Sequence, residues 1–374
     1  MTWDELDHDE FRSIVRADIE EHYPSELRYS PRKFLEWSEQ QVWIDHLIER
    51  GWLAPGWPTA HGGMGLSPHK QIIFAEEHER WGAAQYREHG VIQVGPVIMS
   101  FGTPEQQQTW LPPILTGEHH WAQGYSEPEA GSDLASLRTR ARREGEEYVL
   151  DGQKIWTTLA HVATHIYVLA RTDPDVKPQR GISFLLVDIT SPGITVRRIK
   201  DISQSSELCE VFFDGVRVPV EHRIGDENHG WTIAKSLLGH ERLTAGSPFA
   251  SEYGLEVLSK VARANGVEDD PVFRDRRDAL ALDTKHLRDA YARYKDMVAR
   301  GEPIGPDVSM LKIRATETFA AIADLTIETA GDEGGLAGEG LDAFYRARPA
   351  MIYDGSNEIQ RNIIATAVLG LPRA

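Results

Sequence analysis

Apolar residues recur at helical spacing through the first third of the chain, as they do from Phe34 to Ile48, with Gly51 just beyond the last of them. Residues 103–106 (TPEQ) then supply an N-cap, a first-turn proline and a capping-box partner for a further helix, which we expect to end near Gly117. This pattern predicts an amphipathic, all-helical region.

The middle of the chain, from about residue 119 to 223, changes to short runs rich in β-branched and aromatic residues. These runs cover residues 148–150, 165–169, 182–187, 194–199 and 210–213. Asp151-Gly152, Pro192-Gly193 and Asp214-Gly215 predict turns between them. Because the runs follow one another without helices, and no G-x-G-x-x-G opens a helix after a strand, we expect a compact β domain rather than a doubly wound nucleotide fold.

Long helical periods return from Gly230, over residues 231–265, 271–300 and 308–330, with a final helix starting near Ser356. Glycine-containing breaks at residues 301–303 and 331–340 separate them. Four such helices predict an antiparallel bundle. The predicted fold class is multi-domain α+β: an N-terminal α-helical domain (1–118), a middle β-barrel or β-sandwich domain (119–229) and a C-terminal four-helix bundle (230–374).

The amino-acid composition limits the kinds of partner that the chain is expected to bind. The 374 residues include 58 Asp and Glu against 40 Lys and Arg, a formal net charge of −18 that opposes binding to nucleic acids and anionic membranes. No uncharged stretch reaches the ~20 apolar residues of a membrane span. The acidic start MTWDELDHDEF matches neither a signal nor a transit peptide. The single Cys209, expected to be a buried small hydrophobe, favours a reducing, cytoplasmic location.

Two segments have residues suited to a planar ligand. In residues 123–133 (QGYSEPEAGSD), the glycines permit close backbone approach, and Ser126 and Ser132 offer hydroxyl groups. In residues 151–158 (DGQKIWTT), the Trp156 indole can stack on a heterocycle while neighbouring threonine hydroxyls reach its nitrogens. Taken by itself, the first segment is typical of an ordinary surface loop, and Trp156 in the second could equally be a buried core tryptophan.

A third segment, residues 352–362 (IYDGSNEIQRN), places Asp354 and Gly355 at a loop-to-helix junction. A carboxylate there can sit beside the free amides at the helix start. The alternative for this segment is an ordinary helix cap.

In this order and architecture the three segments resemble the acyl-CoA dehydrogenase superfamily. The resemblance covers nearly the whole chain, and includes residues 56–66 (GWPTAHGGMGL), 125–133, 213–219 (FDGVRVP) and the ending LGLPR. It implies a flavoenzyme that holds FAD against the thioester end of a CoA-linked substrate, with the isoalloxazine between the strand of Trp156 and the tail of Asp354.

The resemblance also implies roles for individual residues. The positions expected to contact the flavin, its pyrophosphate or its ring are Tyr125, Ser126, Ser132, Trp156, Thr158, Ser356 and Glu358. Glu328 and Gly331 match positions that meet the adenine half of a neighbouring subunit's FAD, which implies a homodimer or homotetramer. The family's Arg-x-x-Phe-Gly element is absent; residues 260–266 read KVARANG, so Lys260 or Arg263 is the candidate pyrophosphate cation.

Two carboxylates compete for the role of catalytic base. Relatives usually place Glu before the glycine at 355, and Asp354 is one methylene shorter, a displacement of about 1.5 Å that can impair catalysis. Glu241, in HERLTAG, matches the position from which branched-chain and long-chain relatives supply their base, although a helix-surface charge is the alternative. We favour Glu241. An Asp354 base would resemble nitroalkane oxidase.

The expected reaction is α,β-dehydrogenation of an acyl-CoA thioester, with electrons passed to an electron-transfer flavoprotein. A flavin oxidase or monooxygenase on the same fold is the alternative within enzymes. The altered elements at Asp354 and 260–266 also leave open a non-catalytic subunit of a heterotetramer. The acyl group stays open among straight-chain, branched-chain, dicarboxylate and steroid side-chain thioesters.

Overall fold

The computed structural model describes residues 3–28, 35–83, 89–334 and 339–372, with the backbone alone at 4, 238–244, 332–334 and 339. The chain divides into two compact units, one containing Met1–Arg28 and Leu35–Leu237, the other Leu238–Ala374. The first unit begins with the helices α1 (His8–His22), α2 (Trp37–Arg50), α3 (Pro68–Trp81), α4 (Gly95–Phe101) and α5 (Pro104–Leu115).

The ends of these helices follow the signals in the sequence. Thr103 caps α5: its side chain accepts a hydrogen bond from the Gln106 N–H, and the Gln106 side-chain oxygen accepts one from the Thr103 N–H. Gly51 closes α2 in the left-handed conformation, φ +67°. Apolar faces of the helices pack into one core that includes Phe11, Leu47 and Trp52 and continues onto the sheet.

Eight strands follow and form a single sheet. They are β1 (Trp121–Gly124), β2 (Arg140–Glu144), β3 (Glu147–Thr158), β4 (His165–Arg171), β5 (Ile182–Asp188), β6 (Ile194–Ile199), β7 (Leu208–Pro219) and β8 (Arg223–Ile224). The strand order is β6-β7-β3-β2-β4-β5-β8, with β1 pairing with β4 in parallel. Sequence patterning predicted five of these strands and missed the short strands β1, β2 and β8.

Two predicted turns are wrong. Asp151-Gly152 lies inside β3, and Asp214-Gly215 lies inside β7. The pairing of these two strands shifts register between the Leu150–Val216 pair and the Gly152–Phe213 pair. The Gly215 N–H donates to the Asp151 side chain across this irregularity, at 2.9 Å. The Asp-Gly signals therefore mark a β-bulge, where both glycines have positive φ (+150° at Gly152 and +62° at Gly215) and the strands continue.

The chain continues into α6 (Gly230–Ala245), and the second unit contains α7 (Phe249–Ala264), α8 (Pro271–Ala299), α9 (Ser309–Gly334), α10 (Glu339–Ala350) and α11 (Asn357–Ile363). The expected single helix over 231–265 is two helices, because the sequence Gly-Ser-Pro at 246–248 interrupts it. Helix α10 was not predicted, because no helical pattern was recognised between the glycine-rich break at 331–340 and the helix expected from Ser356.

The order of helical, β and helical regions confirms the predicted multi-domain α+β class. The residue limits assigned to the three domains stay predictions. Within the part of the chain that the structure describes, no helix combines the length and the apolar character needed to cross a membrane.

Candidate functional site

The first two predicted segments lie against each other in the first unit. The Ile155 N–H of β3 donates to the Ser126 carbonyl at 3.0 Å. The neighbouring Lys154 ammonium donates to the Tyr125 carbonyl at 3.0 Å and to the Glu127 carboxylate at 2.8 Å. The loop after β1 and the second half of β3 are therefore joined by contacts from three consecutive residues of the loop.

The ion pair in this junction is buried, with Lys154 at 0 % and Glu127 at 7 % exposure. Glu127 also accepts hydrogen bonds from the backbone N–H groups of Arg138 (2.6 Å) and Thr139 (2.8 Å). Burial lowers the pKa of Lys154 to about 8 although Glu127 attracts its charge. Burial acts to raise the pKa of Glu127, but Lys154 and the hydrogen bonds outweigh it and lower that pKa. Sequence reasoning missed this pair.

Trp156 has an unusual conformation for a large residue in a strand. Its φ is +61° and its side chain is 56 % exposed. On the neighbouring strand β7, Cys209 is buried, as predicted. The pairing of β3 with β7 shifts register between Lys154 and Thr157, so the chain bulges at Trp156. A bulky residue held at positive φ is strained, and such strain is concentrated at functional sites.

The surroundings of Trp156 suit a planar, polar ligand. The Thr157 hydroxyl is buried and has no hydrogen-bond partner among the described residues. Thr158 ends the strand half-buried. The junction thus offers an exposed indole face and the half-buried Thr158, which suit an aromatic cofactor ring, whereas the Thr157 hydroxyl is enclosed by the protein.

The remaining loop residues differ in exposure. Tyr125 is buried, with its ring packed edge-on against Tyr167 and Phe184. Ser126 is half-buried, and Ser132 is exposed at the outer part of the loop. The structure therefore brings Tyr125 and Ser126 close to β3 through their backbone and leaves Ser132 facing solvent.

The third segment forms a strained turn in the second unit. Asp354 has φ +54° and Gly355 φ +80°. Ser356 is the N-cap of α11, so the cap is not Asp354. The Gln360 side-chain amide donates to the carbonyls of Asp354 (3.2 Å) and Gly355 (3.3 Å). Asp354 is thereby held as an exposed carboxylate just before a helix start.

The other predicted residues of the second unit lie on its surface. Arg263 is exposed and pairs with Glu268 at 3.3 Å. Glu328 is exposed and pairs with Arg276 at 2.6 Å, and the hydrogen bond from Arg276 lowers the pKa of Glu328. Helix α9 kinks at Gly331, which has φ +61°.

Two further predicted residues complete the account. Glu358, in the first turn of α11, is exposed, and its pKa is lowered, first by a hydrogen bond from its own backbone N–H. The backbone of Glu241 belongs to α6, but its side chain is not in the part of the chain that the structure describes. Its role as base stays a prediction.

One other cluster has the composition of a metal site. Asp18, His22 and His46 each offer a ligand atom, and these atoms lie within 4.8 Å of one another. The Asp18 carboxylate already accepts a hydrogen bond from His46 (2.8 Å) and pairs with Arg50 (3.0 Å). The cluster is therefore a polar contact between α1 and α2, in which His46 and Arg50 both pair with the Asp18 carboxylate.

Comparisons with known proteins agree over all three regions. The family models for the N-terminal, middle and C-terminal domains of acyl-CoA dehydrogenase match residues 5–118, 122–216 and 228–369. The acyl-CoA dehydrogenase IpdE1 of Mycobacterium tuberculosis is 36% identical over 98% of each chain.

Two solved structures resemble the whole chain. One, the Tcur3481-Tcur3483 steroid ACAD, has a TM-score of 0.87 and 31% identity, with 98% of each chain covered. The other, the ChsE4-ChsE5 complex of Mycobacterium tuberculosis, has a TM-score of 0.83 and 32% identity, also with 98% of each chain covered.

Proposed function

Since the chain belongs to the acyl-CoA dehydrogenase family, whose named members are oxidoreductases, we propose that it catalyses FAD-dependent α,β-dehydrogenation of an acyl-CoA thioester. A carboxylate of the chain removes a proton from the α carbon. Bound FAD supplies the acceptor for the hydride that leaves the β carbon, and the product is an enoyl-CoA. An electron-transfer flavoprotein then takes the two electrons.

The observation that carries this proposal is the exposed, strained Trp156 beside the buried junction of Lys154 with Glu127. The fold maintains an unfavourable backbone conformation to present an indole, which a purely structural tryptophan would not require. The residues we assign to FAD are Tyr125, Ser126, Ser132, Trp156, Thr158, Arg263, Glu328, Gly331, Ser356 and Glu358.

We propose Glu241 as the base, with Asp354 as the alternative. The turn at Asp354 also supports a second role. A backbone N–H at position 354 can stabilise negative charge on the thioester oxygen, and this role does not depend on the side chain. The shorter Asp354 carboxylate is then compatible with activity if Glu241 takes the proton.

Separate replacements identify the base. Glu241→Gln and Asp354→Asn each remove one carboxylate with little change in shape, and Glu256→Gln removes an exposed glutamate of α7 as the matched control. The FAD-loaded variants are mixed with thioester under nitrogen, and the loss of flavin absorbance is followed. We expect bleaching to be abolished in Glu241→Gln and retained in the control. Retention in Glu241→Gln with loss in Asp354→Asn would transfer the role to Asp354.

The fate of the electrons separates a dehydrogenase from an oxidase. After reduction by thioester, the protein is exposed either to air or to an oxidised electron-transfer flavoprotein. We expect slow reoxidation in air and fast reoxidation by the flavoprotein. Fast peroxide release in air, without enoyl-CoA formation, would support the oxidase or monooxygenase alternative.

We further propose a steroid-derived acyl group and an assembly with a second, related chain. One solved relative is described as a steroid ACAD, and another is a complex of two chains. Thioesters of a steroid side chain and of short straight chains, compared at equal concentration, test the first point. Native mass measurement of the chain expressed alone and with a related partner gene tests the second and distinguishes a homotetramer from a heterotetramer.

We propose that this reaction takes place in the cytoplasm.

A further inference from the structure

A buried lysine in the second unit is bonded to the helix that follows the Asp354 turn. Lys312 lies in α9, is 1 % exposed, and its ammonium donates to the Asn357 side-chain oxygen at 3.1 Å. The Asn357 amide donates to the Thr316 hydroxyl at 3.1 Å, and that hydroxyl donates to the Lys312 carbonyl at 2.9 Å. The three residues form a closed polar network between α9 and the first residue of α11.

This network holds the end of a strained turn. Asn357 is 2 % exposed, and its backbone N–H also donates to the Met351 carbonyl at 2.9 Å. Left-handed conformations at non-glycine residues such as Asp354 are unfavourable and persist only when surrounding contacts fix them. The Gln360 amide bonds the turn from within α11. Lys312 and Thr316 anchor it to a different helix.

Burying an ammonium here is unfavourable in itself. Burial lowers the pKa of Lys312. Asp354 and Glu358 attract the ammonium charge and so act to raise that pKa, but burial outweighs them. Apolar residues of similar volume often stabilise a fold as well as a buried polar pair does. Stability alone therefore does not require a lysine at this position.

We propose that Lys312 is a positioning residue, which acts through Asn357 to fix the turn at 354–356 in the conformation needed for α-proton removal. This inference rests on the proposed function. Lys312 itself contacts neither thioester nor flavin in this scheme. Its effect is to keep the backbone N–H of residue 354 aimed in one direction.

The test separates positioning from stability by removing one or both members of the network. Lys312→Met removes the ammonium donor of the buried Asn357 side-chain oxygen, whereas Lys312→Met with Asn357→Leu removes both polar partners. Arg314→Met is the matched control, because Arg314 lies on the same helix and pairs with Asp283 at the surface. The measurements are the unfolding midpoint, the rate of flavin reduction by saturating thioester, and amide hydrogen exchange of residues 352–362.

We expect Lys312→Met to lower both the midpoint and the reduction rate, the rate by about ten- to a hundredfold, as for a displacement of ~1 Å at a reacting centre. In the double variant the midpoint recovers, but the rate stays low and residues 352–362 exchange faster than in wild type. The control matches wild type in all three measurements.

Recovery of the reduction rate together with the midpoint would overturn the proposal, since Lys312 would then act on stability alone. Unchanged hydrogen exchange of 352–362 in the double variant would overturn it as well, whatever the activity. If no thioester reduces the wild-type flavin, the proposed function fails, and the exchange result still decides whether Lys312 fixes the turn.

Discussion

Lys154→Met is expected to destabilise the first unit strongly. The change keeps the length of the side chain and removes its charge, so the Glu127 carboxylate and the Tyr125 carbonyl each lose the donor that lies at 2.8 and 3.0 Å in the structure. Glu127 keeps the two backbone N–H donors of residues 138 and 139. It is nevertheless left as a buried charge without a counter-ion.

The size of the effect follows from burial and pKa. Removing one partner of a buried ion pair costs about 3–5 kcal/mol. The pKa of Lys154, lowered to about 8, shows that keeping this ammonium charged inside the fold is itself unfavourable. The loss should therefore fall at the lower end, about 3 kcal/mol. For a unit of this size it corresponds to a fall of about 6–12 °C in the unfolding midpoint.

The assay compares unfolding midpoints by circular dichroism for wild type, Lys154→Met, the double variant with Glu127→Gln, and Lys177→Met, which removes an exposed lysine. The double variant should unfold above Lys154→Met, because Glu127→Gln removes the unpaired buried charge, and this gain exceeds the loss of one acceptor for the backbone N–H groups of residues 138 and 139. FAD retention on a desalting column should fall in Lys154→Met, since the pair joins the two segments that we propose bind the flavin. A midpoint for Lys154→Met within ~2 °C of wild type, or a double variant below the single one, would refute this reasoning.

Two further predictions concern other strained or charged positions. Trp156→Gly should leave the unfolding midpoint of the FAD-free protein unchanged or raise it, because glycine relieves the strain of the positive φ. The same substitution should weaken FAD binding in a flavin titration. An unchanged affinity for FAD would show that Trp156 is not part of the site. Glu77 is buried, which acts to raise its pKa, but hydrogen bonds from three arginines hold the pKa at about 2 (Arg16, Arg80, Arg12). Because the folded pKa lies below the unfolded value, this carboxylate contributes up to about 3 kcal/mol above pH ~4.5 and loses it as the pH falls toward 2. Glu77→Gln should therefore be less stable than wild type at pH 7 and approach it in acid denaturation curves near pH 2, and parallel curves would contradict this assignment.

Much of the architecture could be predicted because the signals are local. The capping residues of α5 and the glycine after α2 bond within a few positions along the chain. The Asp-Gly pairs misled for a related reason. A bulge and a turn need the same local backbone conformations, and only pairing with a distant strand decides between them.

The candidate site was predicted less completely, because its supporting contacts are not local. Lys154 and Glu127 stand 27 positions apart, and Lys312 and Asn357 stand 45 apart. Lys154 was part of the quoted segment DGQKIWTT, but a lone lysine in a strand gives no sign of its partner. The positive φ of Trp156 likewise follows from the pairing of β3 with β7, which the sequence does not display.

The most direct test of the account is anaerobic titration of the purified chain, alone and with a coexpressed related chain, by an acyl-CoA thioester. We predict a yellow protein with one FAD per chain, whose visible absorbance is lost as enoyl-CoA forms. A colourless chain that takes up no added FAD in either state would contradict the central claim. The flavin could instead bleach only in the presence of the partner, and still do so when Glu241 and Asp354 of this chain are both neutralised. That result would assign this chain a non-catalytic role.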